Sequence, residues 1–150
     1  MSLPELTHGL VVRYAYIWRE RGRGAGGKDE VAGKDRPACV LLVMRRAKGG
    51  RSVLLLPITH TPPGPDSLGV EIPAKVKAHL GLDHERSWVI VSECNVDVWP
   101  NPDLQQIPNY PGRFHYGHLP PRLFRAVRDA FVAAHAARRV RRVDRGALET

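Results

Sequence analysis

Two apolar runs joined by a polar segment constrain the fold of this chain more than any other feature. Residues 38–44 and 53–58 are rich in valine and leucine, and the segment between them carries two glycines and four cations. Each run has the length and composition of a strand, so the pair predicts a β-hairpin. Because neighbouring antiparallel strands start and end side by side, we expect Arg36 to lie near Thr59 and His60. A cation, a hydroxyl and an imidazole would then share one rim of the sheet.

Length and composition predict a single domain over residues 1–150. The chain has 150 residues, 43% of them hydrophobic and 25% charged, which is ordinary for a globular protein. No apolar run has the length of a membrane span, and the first residues lack the features of a secretory signal. We therefore expect a cytoplasmic protein with no membrane partner.

The two cysteines, Cys39 and Cys94, predict buried and unpaired thiols. Each lies inside an apolar run far from the other, which fits neither a CxxC zinc motif nor a disulfide framework. Such thiols are typical of a reducing compartment. His115 and His118, even together with His60, form too weak a pattern to predict a metal site, and no cofactor is expected.

The net charge of +8 and the pI of about 10.1 favour an anionic partner. Part of the excess lies in arginines near the C-terminus, where residues 138–150 are expected to form a basic tail, either solvated or bound to an anion. A second charged segment, about residues 19–35, is rich in glycine and is expected to be a flexible loop.

Alternation of apolar and polar residues predicts further strands. Residues 10–18 should form the first strand, and one of its faces carries Val12, Tyr14, Tyr16 and Trp18. Strands are also expected at residues 69–72 and 87–98, the second with a bulge or bend at its polar residues. Residues 99–116 are expected to be irregular and pinned by aromatic anchors.

Helical spacing predicts two helices. Residues 73–80 should form a short helix with Val76 and Leu80 facing inward and Lys75 and Lys77 in water. A longer helix should open at residues 120–121 and run out through the arginines of residues 138–145. Its apolar stripe consists of Phe124, Val127, Phe131 and Ala134. About five short strands with these helices favour a mainly β fold with α, arranged as a small, bent antiparallel barrel capped by a helix.

Four segments of the chain resemble a toxin family in their sequence and order. They are Arg36-Pro37-Ala38-Cys39-Val40-Leu41, Leu56-Pro57-Ile58-Thr59, Val70-Glu71-Ile72 and Ser87-Trp88-Val89-Ile90-Val91. Together they resemble the PemK/MazF (Kid-like) toxins, and the longer string through the C-terminal helix resembles the PemK-like growth inhibitor subgroup. The resemblance covers about residues 9–131.

The resemblance implies an SH3-like small antiparallel barrel of the PemK/MazF/CcdB type, with a short helical insert and a C-terminal helix, and a homodimer. It implies the toxin of a type II toxin–antitoxin system, an endoribonuclease that cleaves single-stranded RNA and mRNA without a metal and so inhibits growth. An acidic antitoxin protein would block it. The 2′-hydroxyl of the RNA would attack the adjacent phosphorus, giving a cyclic phosphate and a 5′-hydroxyl product.

The resemblance also implies roles for single residues. Arg36 matches the catalytic arginine of the family, which would stabilise charge on the phosphorus and serve as the proton donor. Thr59 matches the catalytic threonine, which would hydrogen-bond a phosphate oxygen. Glu93 is the nearest match to the acidic base of one branch, and Asp97 is second. The arginine that this branch carries beside its acid has no clear counterpart at Val91-Ser92.

His60 is a further candidate acid or base, because histidine is the side chain that changes charge nearest to neutral pH. Strand alternation through Thr59 would, however, turn His60 away from the face of Thr59. RNA binding is expected at hydroxyl and cationic side chains near this rim and along the chain: Thr61, Arg19, Arg21, Arg23, Lys34 and Arg113.

Structural interpretations of the same residues stay open. Arg36 would pair with Asp35 or Glu71, and the two threonines would be ordinary turn hydroxyls. Trp99 and the aromatics of residues 110–116 would either anchor a loop or stack on bases. The competing functional class is therefore a non-catalytic SH3-like module that binds nucleic acid or a protein partner. Gyrase poisoning follows only from analogy of fold, which does not determine function.

Overall fold

The computed structural model describes residues 6–18 and 34–145. Within these residues the strands are β1 (Leu10–Tyr16), β2 (Lys34–Arg45), β3 (Arg51–Thr59), β4 (Gly69–Glu71), β5 (Trp88–Ile90), β6 (Glu93–Trp99), β7 (His115–His118) and β8 (Arg141–Asp144). The helices are α1 (Ala74–Leu80) and α2 (Pro121–Ala136). In this part of the chain, no helix is long and apolar enough to cross a membrane.

The strands form one sheet with a branch. Its main path runs β4-β5-β3-β2-β1-β7, in which β5 pairs with the end of β3, and β6 pairs with the beginning of β3. All ladders are antiparallel except the last, in which β8 runs parallel to β6. Among the described residues no ladder joins β4 to β7, so the sheet is open. The mainly β class with helices is therefore confirmed.

The predicted hairpin is present as β2 and β3. Its register pairs Ala38 with Pro57 and Met44 with Ser52, and it shifts between Val40 and Leu42. Extending the same register by two residues sets Arg36 opposite Thr59 at the open end of the hairpin. Arg36 and Thr59 therefore lie on the same rim of the sheet, as expected.

The expected strand over residues 87–98 is divided into β5 and β6. Trp88 and Val89 pair with the end of β3, whereas residues 95–99 pair with its beginning. Between the two strands, the hydroxyl of Ser92 accepts the backbone N–H of Leu68. The polar residues thus mark a bend, as expected. The predicted number of about five strands was wrong, because this division, β7 and β8 bring the described strands to eight.

Both faces of the sheet are buried, each under its own hydrophobic cluster. The cluster on the helix-covered face includes Val11, Cys39, Leu56, Val89, Leu80 and Val127. The cluster on the other face includes Val12, Tyr14, Tyr16, Val40, Leu55, Trp99 and Leu104. Burial raises the pKa of both cysteine thiols, Cys39 and Cys94, to about 12, and both are buried and unpaired as predicted.

The segment between β6 and β7 lies along β1. Leu104 forms a bridge with Tyr14, and the backbone of Arg13 bonds to Gln105 and Phe114. Trp99 is buried and anchors the segment, whereas Tyr110 is more than half exposed. The aromatic anchoring is thus confirmed for Trp99 and is wrong for Tyr110.

The helices cover the sheet as predicted, with one error in each. In α1, Leu80 is buried, but Lys77 is also buried and does not stay in water. The error arises because polar groups of the following turn surround its ammonium group. The stripe of α2 faces the core, but α2 ends at Ala136 and does not run out through the arginines.

Part of the predicted basic tail forms a strand. Arg138 has a positive φ of 58°, which turns the chain back so that residues 141–144 pair with residues 93–96 of β6. The edge of β6 that faces away from β3 offers unpaired backbone N–H and C=O groups. Residues 141–144 pair with these groups, whereas a solvated tail would bond to water instead. The expected tail was therefore wrong for residues 141–144, and residues 146–150 lie outside the described part of the chain.

Candidate functional site

A cavity of about 620 Å³ opens at the end of the hairpin. Its walls come from the ends of β2 and β3, from the turn after α1 and from the segment before β7. Arg36, Thr59, His60 and Thr61 all line it. The structure thus brings the predicted rim residues together, while their catalytic roles stay predictions. β3 ends at Thr59, and both Thr59 and His60 line the cavity.

Arg36 is held on β2 opposite Tyr14 of β1. Its guanidinium carbon lies 5.1 Å from the ring centroid of Trp18, a cation–π contact. The two carboxylates considered as its structural partners each have another cation. Arg13 lies 3.9 Å from Asp35, and Arg86 makes two hydrogen bonds, of 2.7 and 2.8 Å, to Glu71.

The hydroxyl of Thr59 is oriented by the chain that follows it. Its oxygen accepts the backbone N–H of Thr61 at 3.1 Å. A hydroxyl that accepts through one lone pair keeps its own proton for donation. Thr59 can therefore donate a hydrogen bond into the cavity, for example to a phosphate oxygen.

His60 is held by the turn that follows α1. Its Nε2 lies 2.6 Å from a carboxylate oxygen of Asp83, and its Nδ1 lies 3.6 Å from a carboxylate oxygen of Glu85. The side chain is 48% exposed, so it stays accessible from the cavity. The sequence prediction gave no role to Asp83 or Glu85 and so missed this pairing.

Asp83 is fixed in turn by Lys77. The ammonium group of Lys77 lies 2.5 Å from the second oxygen of Asp83 and also donates to the hydroxyl of Ser87 and the carbonyl of Glu85. Burial opposes ionisation of Asp83, but the hydrogen bonds from Lys77 and the backbone N–H of Glu85, with the charges of Lys77 and His60, outweigh it. The pKa of the Asp83 carboxyl therefore lies below its ordinary value.

Glu93 lies in a neighbouring cavity of about 180 Å³ and not in the larger one. It is buried, and the hydroxyl of Tyr16 donates to it at 3.2 Å. Burial and the nearby charge of Glu93 raise the pKa of Tyr16 well above its ordinary value. The two cavities share Thr59 and Thr61, so Glu93 lies near the rim without lining the larger cavity.

Asp97, the second candidate base, is part of the core. It is buried and accepts the hydroxyl of Tyr14 at 2.7 Å. It lines neither of the two cavities. The hydrogen bond gives Asp97 a structural role in place of the catalytic one considered for it.

The predicted RNA-binding residues have different positions. Thr61 lines the larger cavity, and the guanidinium of Arg113 lies 5.5 Å from the ring centroid of Tyr110, which also lines it. Arg13 of β1 is an additional cation of the cavity that the sequence prediction missed. Three of the predicted residues lie outside the described part of the chain: Arg19, Arg21 and Arg23. The backbone of Lys34 is described, but its side chain is not.

Among the described residues, one group has the chemistry to bind a metal: His60, Asp83 and Glu85, whose potential ligand atoms lie within 4.8 Å of one another. Both imidazole nitrogens face carboxylates, and Asp83 already contacts Lys77, so the charges compensate one another. His118 instead contacts the hydroxyl of Thr7, at 2.5 Å. The expectation of no metal stays a prediction.

Comparisons with known proteins add no relative: no protein-family model, curated protein or solved structure matches the chain.

Proposed function

We propose that this protein is the toxin of a type II toxin–antitoxin system and a metal-independent endoribonuclease of the PemK/MazF type. The observation that carries the proposal is that Arg36, Thr59 and His60 line the same cavity, and that Asp83 holds His60 there. A cation, a hydroxyl donor and an acid–base group are the parts that cleavage of an RNA phosphodiester requires.

Each part has a role in the proposed reaction. His60 takes the proton of the 2′-hydroxyl as the 2′-oxygen bonds to phosphorus and the bond from phosphorus to the 5′-oxygen breaks. Arg36 neutralises the charge that develops on the phosphate oxygens, and its planar fork suits two of them at once. Thr59 donates to one phosphate oxygen. Arg36 also supplies the proton to the 5′-oxygen, as the family resemblance implies.

The fold and the charge are consistent with the same family. α1 contacts β7 and α2 contacts β4, so the helices cover the gap between the two edges of the sheet. This arrangement supports a variant of the SH3-like barrel as part of the proposal. The net charge of +8 suits single-stranded RNA and an acidic antitoxin. A homodimer and a cytoplasmic location complete the proposal.

The first prediction concerns Arg36. The purified chain should cut a mixed-sequence single-stranded RNA in the presence of EDTA, leaving a cyclic phosphate and a 5′-hydroxyl. Arg36→Ala should lower the rate of cutting roughly 100-fold or more, because it removes the charge that stabilises the transition state. Gel analysis of end-labelled RNA measures the rate, and a thermal melt monitors folding.

Arg45→Ala is the matched control for this prediction. Arg45 is an exposed cation at the opposite end of the same hairpin, so its removal changes the net charge equally. It should leave the rate of cutting within about 5-fold, because an exposed charge contributes little. Equal rates for the wild type and Arg36→Ala would remove Arg36 from the mechanism.

A non-catalytic module of the same fold is the second candidate. The observation in its favour is Glu93, which matches the acidic base of the family but is buried, accepts a hydrogen bond from Tyr16 and faces the smaller cavity. A folded chain that binds the RNA in a filter-binding assay and leaves it intact would support this candidate over the ribonuclease.

A further inference from the structure

We infer that Asp83 is a positioning residue that sets the tautomer of His60 and leaves Nδ1 as the atom that accepts a proton. The inference rests on the proposed ribonuclease function and names the residues that prepare its acid–base group. They come from α1 and the turn after it, outside the hairpin that supplies Arg36 and Thr59.

The geometry assigns the proton of the neutral imidazole. Nε2 of His60 lies 2.6 Å from Asp83, a hydrogen-bond distance, and an ionised carboxylate only accepts. Nε2 therefore carries the hydrogen, and Nδ1 carries the lone pair. Nδ1 lies 3.6 Å from Glu85, which is beyond a good hydrogen bond, so its lone pair stays accessible.

Asp83 is itself held in one orientation. One of its oxygens, Oδ1, accepts from both Lys77 at 2.5 Å and the backbone N–H of Glu85 at 3.1 Å. Only the other oxygen, Oδ2, faces His60. Lys77 is 4% exposed, so its ammonium group is a fixed anchor and not a mobile surface charge. The order Lys77, Asp83, His60 thus runs from the protein interior to the cavity.

The arrangement of Lys77, Asp83 and His60 also stabilises the imidazolium that proton transfer produces. When Nδ1 takes the proton of the 2′-hydroxyl, the Nε2–H of the imidazolium stays hydrogen-bonded to Asp83, whose negative charge stabilises the cation. The other charged groups that line the cavity around it are Arg13, Asp35 and Arg36.

Asp83→Asn tests the inference because the surrounding donors dictate the orientation of the new amide. The amide oxygen must stay at the Oδ1 position, where Lys77 and Glu85 both donate to it. Its NH₂ group then faces Nε2 of His60 and donates to it. The neutral imidazole must therefore move its proton to Nδ1, where it can no longer accept the proton of the 2′-hydroxyl.

The experiment measures the tautomer and the activity separately. Nitrogen-15 NMR of the full chain without RNA, at a pH where the imidazole is neutral, should show Nε2–H in the wild type and Nδ1–H in Asp83→Asn. The kcat for RNA cutting should fall roughly 100-fold or more in Asp83→Asn, with little change in KM. His60→Gln should lose a similar factor.

Glu85→Gln is the matched control, since it removes the other carboxylate that faces His60. Glu85 is 72% exposed, so its loss should change kcat less than about 5-fold and leave the Nε2–H tautomer in place. This control and the wild-type spectrum keep the inference testable even if Asp83→Asn fails to fold.

Three results would overturn the inference. They are an Nδ1–H tautomer in the wild type, an unchanged tautomer in folded Asp83→Asn, and wild-type kcat in a variant whose tautomer has changed. The failure of the proposed function is distinguishable from these. A wild type that cuts no RNA but shows the Nε2–H tautomer refutes the ribonuclease and the catalytic use of His60, while the positioning by Asp83 stands.

Discussion

Lys77 shows at the scale of one residue how a charge can be buried next to a solvent-facing site. Its ammonium group has three donors, and it finds three acceptors in Asp83, the carbonyl of Glu85 and the hydroxyl of Ser87. Burial of a charge is costly unless it is paired and fully hydrogen-bonded. This satisfied network explains why a lysine occupies a position that the helical pattern assigns to water.

Lys77→Met should therefore destabilise the protein. Methionine keeps the apolar stem but removes the donor that Asp83, the carbonyl of Glu85 and the hydroxyl of Ser87 share. We expect the free energy of unfolding in urea to fall by about 1–3 kcal/mol. Arg86→Met is the comparison, because its pair with Glu71 is exposed and should contribute less to stability. Equal losses in the two variants would mean that the buried network adds no stability.

Thr59 and His60 illustrate how adjacent residues acquire different partners. The hydroxyl of Thr59 is oriented locally, by the backbone of Thr61. His60 is oriented by Asp83, a residue distant along the chain that the fold brings to 2.6 Å. A local turn motif is visible in the sequence, whereas a contact between the end of a strand and the turn after a helix is not.

At the scale of elements, the turn after α1 forms one wall of the cavity. Gly81 ends α1 in the left-handed conformation, with a φ of 70°, and directs the chain toward the cavity. Asp83 joins the turn to α1 through Lys77, and Glu71 of β4 pairs with Arg86. Glu71 thus joins this wall to the sheet, and Asp83 joins it to α1.

The stability that these two carboxylates contribute should be lost in acid. The pKa of Glu71 is lowered by its hydrogen bond to Arg86, and the pKa of Asp83 is lowered as described above. A lowered pKa stabilises the folded state above the unfolded values of 4.5 and 3.8, and this stability is lost as the pH falls through the folded pKa values. The midpoint in urea should thus be constant down to about pH 5 and then fall.

Urea unfolding of the wild type and Asp83→Asn between pH 7 and pH 3 measures this effect. The variant lacks the titrating carboxyl, so its stability should decline less steeply on the acid side. Parallel curves for the two proteins would show that Asp83 does not contribute to the acid sensitivity.

At the scale of the whole molecule, β8 and Arg145 tie distant parts together. The side chain of Arg145 is 10% exposed and lies 2.6 Å from Asp103 of the segment after β6. It also donates to the carbonyl of Ala15 in β1 and to the side chain of Asn95 in β6. The guanidinium lies 4.8 Å from the ring centroid of Tyr14. One side chain directly after β8 thus links β1, β6 and the segment that follows β6.

Arg145→Ala should lower the free energy of unfolding by about 2–4 kcal/mol, because Asp103 and the carbonyl of Ala15 lose their shared cation. Denaturation in guanidinium chloride measures the change. Arg142→Ala is the matched control in the same segment. Its side chain is 61% exposed and pairs with Asp144, so its removal should cost less than about 1 kcal/mol. A smaller loss for Arg145→Ala than for Arg142→Ala would contradict this role.

The fold was predictable where the pattern is local. The faces of β1, the β2–β3 hairpin, the bend between β5 and β6 and the stripe of α2 all follow from periods of two or 3.6 residues. β8 was not predictable, because a short arginine-rich segment carries no strand pattern of its own. It forms a strand because β6 presents an unpaired edge and Arg145 finds buried acceptors.

The sequence by itself determined that Arg36 and Thr59 share a rim, because a hairpin with a short connection sets its own register. Only the tertiary structure decided that Asp83 and Lys77 stand behind His60, and that Glu93 faces the smaller cavity with Tyr16. These contacts join residues far apart along the chain, and their geometry depends on how the helix and the strands pack. Local periodicity fixes which way a side chain points along its own element, but it carries no information on the residue that it meets.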